Sequence, residues 1–314
     1  METEPSLRIT IRIDLWRSMK SRKLYKKSAP RVVGQIFSLS LLLPLLSNAA
    51  PFITATVSSA SSPGSILQGT SVITGHFPNF VAIAADRGGR RRLGGSSNVE
   101  NVDVCKIAAV GSRHLLSYTT VDIQADVNNP EDHLLKRAAS IIKFAPDKEH
   151  IETTVWKIAE SEANIAADWS RRDPTSFNRQ PSDERGPSIT VANVDDDGKI
   201  NVFIIEIKVI EKADHKLFGQ FDVKALQQGE VAFGAKAANA RDELISGRTQ
   251  RSQEDHKVLS SLLEAKTLSR FREAAVNFVD LTKIWYPNEV FGGTDFAVLT
   301  PAGIFWLGRH DGCE

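Results

Sequence analysis

The stretch Gln68–Gly89, QGTSVITGHFPNFVAIAADRGG, decides how this chain is read. Within it, Thr70–Ala85 holds two β-rich runs around a His-Phe-Pro-Asn turn. The first run alternates and the second is continuously apolar, the pattern of a hairpin of buried strands. Asp86 ends the second run, and a Gly- and Arg-rich segment, RGGRRRLGGSSNVENVD, reads as a loop carrying Arg87 and Arg90–Arg92. If that basic loop lines a cleft, it favours acidic substrates; the plainer reading is a solvated loop.

Working outward, Val104–Val110 and Leu115–Thr119 read as another strand pair, turning at Gly111-Ser112. Apolar spacing predicts helices over Glu131–Phe144 and Ile151–Trp169, the second with Trp156 and Trp169 as core residues. Ser170–Gly186 is polar and reads as a loop. Strands Ser188–Val194 and Ile200–Val209 follow, joined by Asp195-Asp196-Asp197-Gly198. That DDDG segment is a hairpin turn rather than a calcium loop, because its acids are adjacent instead of alternate. Helical signals return at Ala235–Ile245 and His256–Ile284, and Asp295–Leu299 with Ile304–Leu307 close the chain as strands. The order of strands, helix pair, strands, helix pair, strands predicts α+β, with separate layers that pack well as an αββα sandwich.

The segment before the domain is of another kind. Residues 1–31 carry nine Arg or Lys against three acids, and no charged side chain then occurs from Val32 to Ala85. With a whole-chain net charge of +1, the remainder is a mildly acidic body. From Met19 a basic run leads into the apolar Val32–Leu46 and then small residues, the layout of a signal peptide. Pro44 and the short apolar length argue against a spanning helix, which needs about twenty apolar residues. Export to the periplasm or outside the cell is therefore expected, with a retained anchor or a cytoplasmic location as alternatives; membrane contact is expected only through this leader. The start is Met1 or Met19. TVSSASSPGSILQ reads as a flexible linker, giving residues 1–69 as leader and 70–314 as one domain.

Balanced charge gives no footprint for nucleic acid. Seven scattered His residues without HExxH give no protein-built metal site, no cofactor is expected, and the missing G-x-S-x-G elbow, P-loop and G-x-G-x-x-G leave the serine-hydrolase and nucleotide readings without support. The two cysteines, Cys105 and Cys313, read as a buried thiol and an exposed tail thiol. The chemistry of interest lies at Gly69-Thr70. Cutting that bond frees the amine of Thr70, and an N-terminal Thr combines a hydroxyl nucleophile with an amine base of pKa about 8.

These residues resemble the opening of a proteasome β-type subunit, an N-terminal-nucleophile hydrolase, in a divergent bacterial-type form. Thr70 and Asp86 stand sixteen residues apart, as in that family, and Val104-Cys105-Lys106-Ile107 before Leu115-Leu116 is similar to the run bearing its lysine. The resemblance implies the family's αββα fold, Thr70 as nucleophile and base, Lys106 tuning its pKa, and Asp86 orienting Lys106. It also implies Gly69 as the processing site and the backbone of Thr120 as oxyanion donor. VANVDDDGKINVFIIE, VAFGAKAANARDELI and GGTDFAVLTPAGIFWL are similar to later blocks. The chain departs from the pattern at Phe233-Gly234-Ala235, Asn288 and Phe291, where the family usually keeps Ser and Asp, and at Thr120 or Val121, where it has Gly. The expected activity is that of a self-processing threonine-type peptidase or amidase, made as a zymogen and acting in proteolysis. Its substrate is a peptide or amide, and a homo-oligomer or ring is implied. The alternative is an inactive structural or binding subunit. An isolated Lys106 on an apolar strand either pairs with Asp86 or points to water.

Overall fold

The computed structural model describes residues 65–69, 71–93, 99–124, 133–146, 149–178, 180, 185–211, 217–247 and 251–308. The basic and apolar leader, Thr70 itself and Cys313 lie outside these residues. No described helix is long and apolar enough to cross a membrane.

The chain is α+β, and its described strands form two antiparallel sheets. The predicted hairpin is present: β2 (Ser71–Phe77) and β3 (Phe80–Asp86) meet across Pro78-Asn79, with Phe77 stacked on Phe80 at 4.5 Å between ring centroids. Both strands are almost wholly buried because both of their faces are covered. Together with β11 (Val231–Ala235), β12 (Thr294–Thr300) and β13 (Gly303–Gly308) they form a five-stranded sheet, ordered β11-β2-β3-β12-β13.

The eight-stranded sheet begins with a strand that the linker reading did not contain. Ser65–Gly69 forms β1 and pairs on both sides, with β4 (Gly88–Leu93) and β7 (His114–Gln124). β4 in turn pairs β5 (Val99–Asp103), so the segment expected as a solvated Arg-rich loop contains two strands. Pairing of the backbone outweighs a Gly- and Arg-rich composition that disfavours strands in isolation. β6 (Ile107–Val110) pairs β7, and β8 (Ser188–Val194), β9 (Ile200–Glu211) and β10 (Leu217–Ala225) complete the order β10-β9-β8-β7-β1-β4-β5. The Asp195–Gly198 turn joins β8 to β9 as a hairpin, with the Gly198 amide donating to the Asp195 carbonyl.

Three apolar cores result. Helices α1 (Leu134–Lys143) and α2 (Ile151–Arg172) bury Leu134, Ile158 and Trp169 against Leu116, Ile189 and Ile205 of the eight-stranded sheet. Trp156 does not join them: it is 56% exposed, with its edge on Phe221, because it lies off the inward stripe of α2. Between the sheets, Val72, Val81 and Ile83 meet Ile107, Leu115 and Val202. On the far face of the five-stranded sheet, α4 (Lys236–Ser246), α5 (Gln253–Leu263) and α6 (Leu268–Trp285) bury Leu262, Phe271 and Phe278 on Ile73 and Phe296. A short helix, α3 (Pro174–Asn178), lies in the segment read as a loop.

The strand β10, also missed, alternates half-buried and exposed along an edge. Its Gly219 permits close approach to α2, since a Cβ there would stand 1.9 Å from the Ala163 carbonyl oxygen.

Candidate active site

The chain leaves the eight-stranded sheet at Gly69 and enters the five-stranded sheet at Ser71, so the two sheets are joined at this corner. Thr70 lies outside the described residues, but the surroundings of its two neighbours are described.

Asp86 ends β3 at the open end of the hairpin, beside the start of β2. Its Oδ1 accepts the Ser71 amide at 2.8 Å and stands 2.8 Å from Lys106 Nζ. Both side chains of this ion pair have no solvent exposure. Lys106 Nζ also donates to the Gly88 carbonyl oxygen. The isolated lysine of the sequence is therefore held inside, paired with Asp86, and not at a wet strand edge. Burial pulls the Lys106 ammonium below the ordinary lysine range, and Asp86 opposes that pull. More weakly, Asp295 acts with Asp86 and Lys283 acts against it.

The backbone below Asp86 is fixed from several sides. Arg87 and Gly88 amides donate to the Gly293 and Phe291 carbonyls, each at 2.9 Å, and the Val104 amide donates to the Arg87 carbonyl at 2.8 Å. Arg87 Nε donates to the buried Asp295 at 2.8 Å, so this arginine does not belong to a solvated loop. On the other side of Ser71, Thr282 Oγ1 donates to the Val279 carbonyl at 2.6 Å. A hydroxyl has one proton, so at the 3.2 Å Ser71–Thr282 contact Ser71 Oγ is the donor. Sequence reasoning missed Asp295 and Thr282. Their only signal is a polar residue at an inward position of an apolar element.

Two non-glycine residues have positive φ among the described residues, Thr120 at 71° and Ala235 at 47°. Each is paired in register with a neighbour of Thr70: Thr120 with Gly69, and Ala235 with Ser71. Such conformations cost about 1–3 kcal/mol each and persist only where surrounding structure enforces them. Thr120 is held by its own hydroxyl, which donates toward the Gly186 carbonyl at 2.6 Å and lies 2.5 Å from the Thr119 carbonyl. Next to Ala235, Gly234 touches Thr119 so closely that a Cβ would meet Thr119 Cγ2 at 2.3 Å.

These strained residues line a cavity of about 230 Å³ with Thr119, Pro187, Phe233 and Asn239 on its walls. Thr119 Oγ1 is buried there without a hydrogen-bond partner. Phe233-Gly234-Ala235 and Thr120, singled out in the sequence, thus fall together on one wall of this cavity. Phe291 packs its ring on Gly88.

Cys105 is disulfide-bonded and half-buried, which corrects its reading as a buried thiol. Alternation explains the exposure: Val104 and Lys106 point inward, so Cys105 points out. Among the described residues no cluster of three or more His, Cys, Asp or Glu could hold a metal ion.

No family model matches the chain, and no curated protein matches it in a sequence search.

Proposed function

We propose that the chain is a self-processing hydrolase of the N-terminal-nucleophile type, with Thr70 as nucleophile after scission of Gly69–Thr70. One observation carries this reading. A solvent-free carboxylate, Asp86, is shared between the amide of Ser71 and the ammonium of Lys106, one residue from the bond to be cut. A buried pair of this kind is costly to keep and is a frequent mark of a functional site. The two strained residues flanking the same corner support the same conclusion. Three cores, stacked helix-to-sheet, sheet-to-sheet and sheet-to-helix, support the four-layer αββα reading.

In this mechanism Thr70 Oγ adds to the Gly69 carbonyl carbon. The C–N bond to Thr70 breaks, the nitrogen takes up the hydroxyl proton, and an ester remains. Water then hydrolyses the ester, leaving a Gly69 carboxylate, a restored hydroxyl and a free amine at Thr70. With a peptide or amide substrate the cycle repeats, the amine accepting the hydroxyl proton and returning it to the leaving nitrogen. Lys106 lends a positive field at the nucleophile, Asp86 holds Lys106, and the amide of Thr120, opposite Gly69, is the oxyanion donor. The leader is a signal-bearing propeptide, and the disulfide at Cys105 is in keeping with an oxidising compartment. A ring of like subunits is part of the proposal only through the family resemblance.

The test is the N-terminal sequence and intact mass of the chain recovered from expressing cells. A mature chain starting at Thr70, and loss of that cut in Thr70→Ala, are expected. A chain trimmed only near Ala49–Ala55, and indifferent to Thr70, would overturn the reading.

A further inference from the structure

β1 lies in a slot between β4 and β7, bonded in full register to both: Ser65–Gly69 run against Leu93–Gly89 on one side and Gln124–Thr120 on the other. In the proposed reaction the residues before the cut bond occupy this slot. The strands that flank it therefore present side chains to the acyl side of any extended substrate taking the place of β1. Directly opposed residues on antiparallel strands share a face, with Cβ atoms about 4.5–5.5 Å apart.

The wall contributed by β4 is basic. Arg90 stands opposite residue 68 and Arg91 opposite residue 67. Both are half-buried, and the Nε of each is buried without a hydrogen-bond partner. No ion pair joins either of them to a described residue, unlike Arg87 with Asp295. Their surroundings differ. Arg91 has Glu100 opposite it on β5, and position 67 faces Asp122 on β7. Asp122 is already committed to the Leu134 amide and to Arg137. Position 68 has Arg90 on one side, with Asn101 beyond it, and Val121 on the other, so no carboxylate balances Arg90 in either register.

We infer that Arg90 is a specificity-determining residue: the slot selects acidic peptides, with Glu or Asp at the second residue before the cleaved bond. The selection of substrate rests on the hydrolase reading, whereas the charge preference of the slot does not. The leader itself carries Gln68 at this position, the neutral isostere of Glu. A released leader is thus a weaker ligand than an acidic substrate, which suits a segment that must vacate the slot.

Two measurements separate these claims. The first uses the full chain with Thr70→Ala, so that β1 stays attached, and reads thermal midpoints of Gln68→Glu and Gln68→Lys. Gln68→Glu is expected to melt about 2–4 °C above Gln68→Lys at low salt, with the gap closing in 1 M NaCl. Adding Arg90→Glu should invert the order. Equal midpoints, or an order unchanged by Arg90→Glu, overturn the proposal. The second measurement follows hydrolysis of Ser-Ile-Leu-Xaa-Gly reporter peptides by the processed wild-type chain. Xaa as Glu should exceed Lys about fivefold or more in kcat/KM, again reversed by Arg90→Glu. Cleavage without a Glu preference overturns the acidic selectivity. If no peptide is cut while the melting order holds, the slot's preference stands and the hydrolase reading falls.

Discussion

The Asp86–Lys106 pair allows the structural and chemical roles of one contact to be separated. At 2.8 Å and an effective dielectric of about 20, the Coulomb attraction is about 6 kcal/mol. Removing both charges from water costs several kcal/mol per ion, so the pair is close to break-even as a stabilising element. Lys106→Met leaves the Asp86 carboxylate buried, with the Ser71 amide still donating to it, and is expected to cost about 3–5 kcal/mol. Asp86→Asn with Lys106→Met removes both charges while Asn Oδ1 can still accept the Ser71 amide. That double variant should lie within about 1.5 kcal/mol of wild type, the difference appearing as a coupling energy in a urea-denaturation cycle. Intact mass at Gly69–Thr70 then supplies the second readout. A stable double variant that remains uncut ties the pair to chemistry. A single-site cost below about 1 kcal/mol, or normal processing by the stable double variant, would refute the reasoning. pH gives a further sign. A lysine whose folded pKa is lowered binds fewer protons folded than unfolded. Its contribution therefore rises with pH between that lowered value and 10.5, and Lys106→Met should abolish the rise.

Other outcomes follow from the same packing. His133 caps α1 by accepting the Leu135 amide at 3.3 Å on Nδ1, with Nε2 3.4 Å from Asp122, an arrangement that suits the neutral ring. Burial lowers its pKa, with Asp122 opposing, so stability should fall as pH drops from 6.5 through the lowered value; His133→Asn, which can still cap, should flatten that limb in urea titrations. Gly234→Ala drives a methyl into Thr119 Cγ2 and should cost about 1–3 kcal/mol, with partial recovery when Thr119→Ser removes that methyl, measured by thermal melting. Phe271→Ala empties a fully buried site between Phe77 and Phe296 and should cost about 3–5 kcal/mol in chemical denaturation, without changing the site of N-terminal cutting.

Much of this arrangement was legible in the residues themselves. The β2–β3 hairpin, α2 and the closing strands follow from periodicity, because each buries an apolar face against a layer supplied by the rest of the chain. The Asp86–Lys106 contact was readable as a cost, since a lysine within VCKIAAV must find a partner or reach water. The strands β1, β4 and β5 were not readable. Their residues are glycine, serine and arginine as often as apolar, and they become strands through mutual pairing across the sequence. Thr120 and Ala235 were invisible for a related reason: nothing in their side chains announces a positive φ, which neighbouring strands impose.

In the strand order β7-β1-β4-β5, the hairpin β4–β5 meets the remainder of its sheet, among the described residues, through β1. Its base is tied down by the Arg87, Gly88 and Val104 amides and by Lys106, but its length is not. Ser65–Gly69 consequently act as a keystone during assembly, joining β4 to β7, two segments that do not pair with each other directly. Departure of that keystone would uncover two strand edges at once, on β7 and on β4. Amide exchange along β4 and β5 should then change from globally protected to locally labile, and the open edges would be exposed to other extended chains. Under the proposed self-cleavage, timing would therefore have a structural meaning: a chain severed before its sheet is knitted would lose its template, whereas one severed afterwards would gain a mouth.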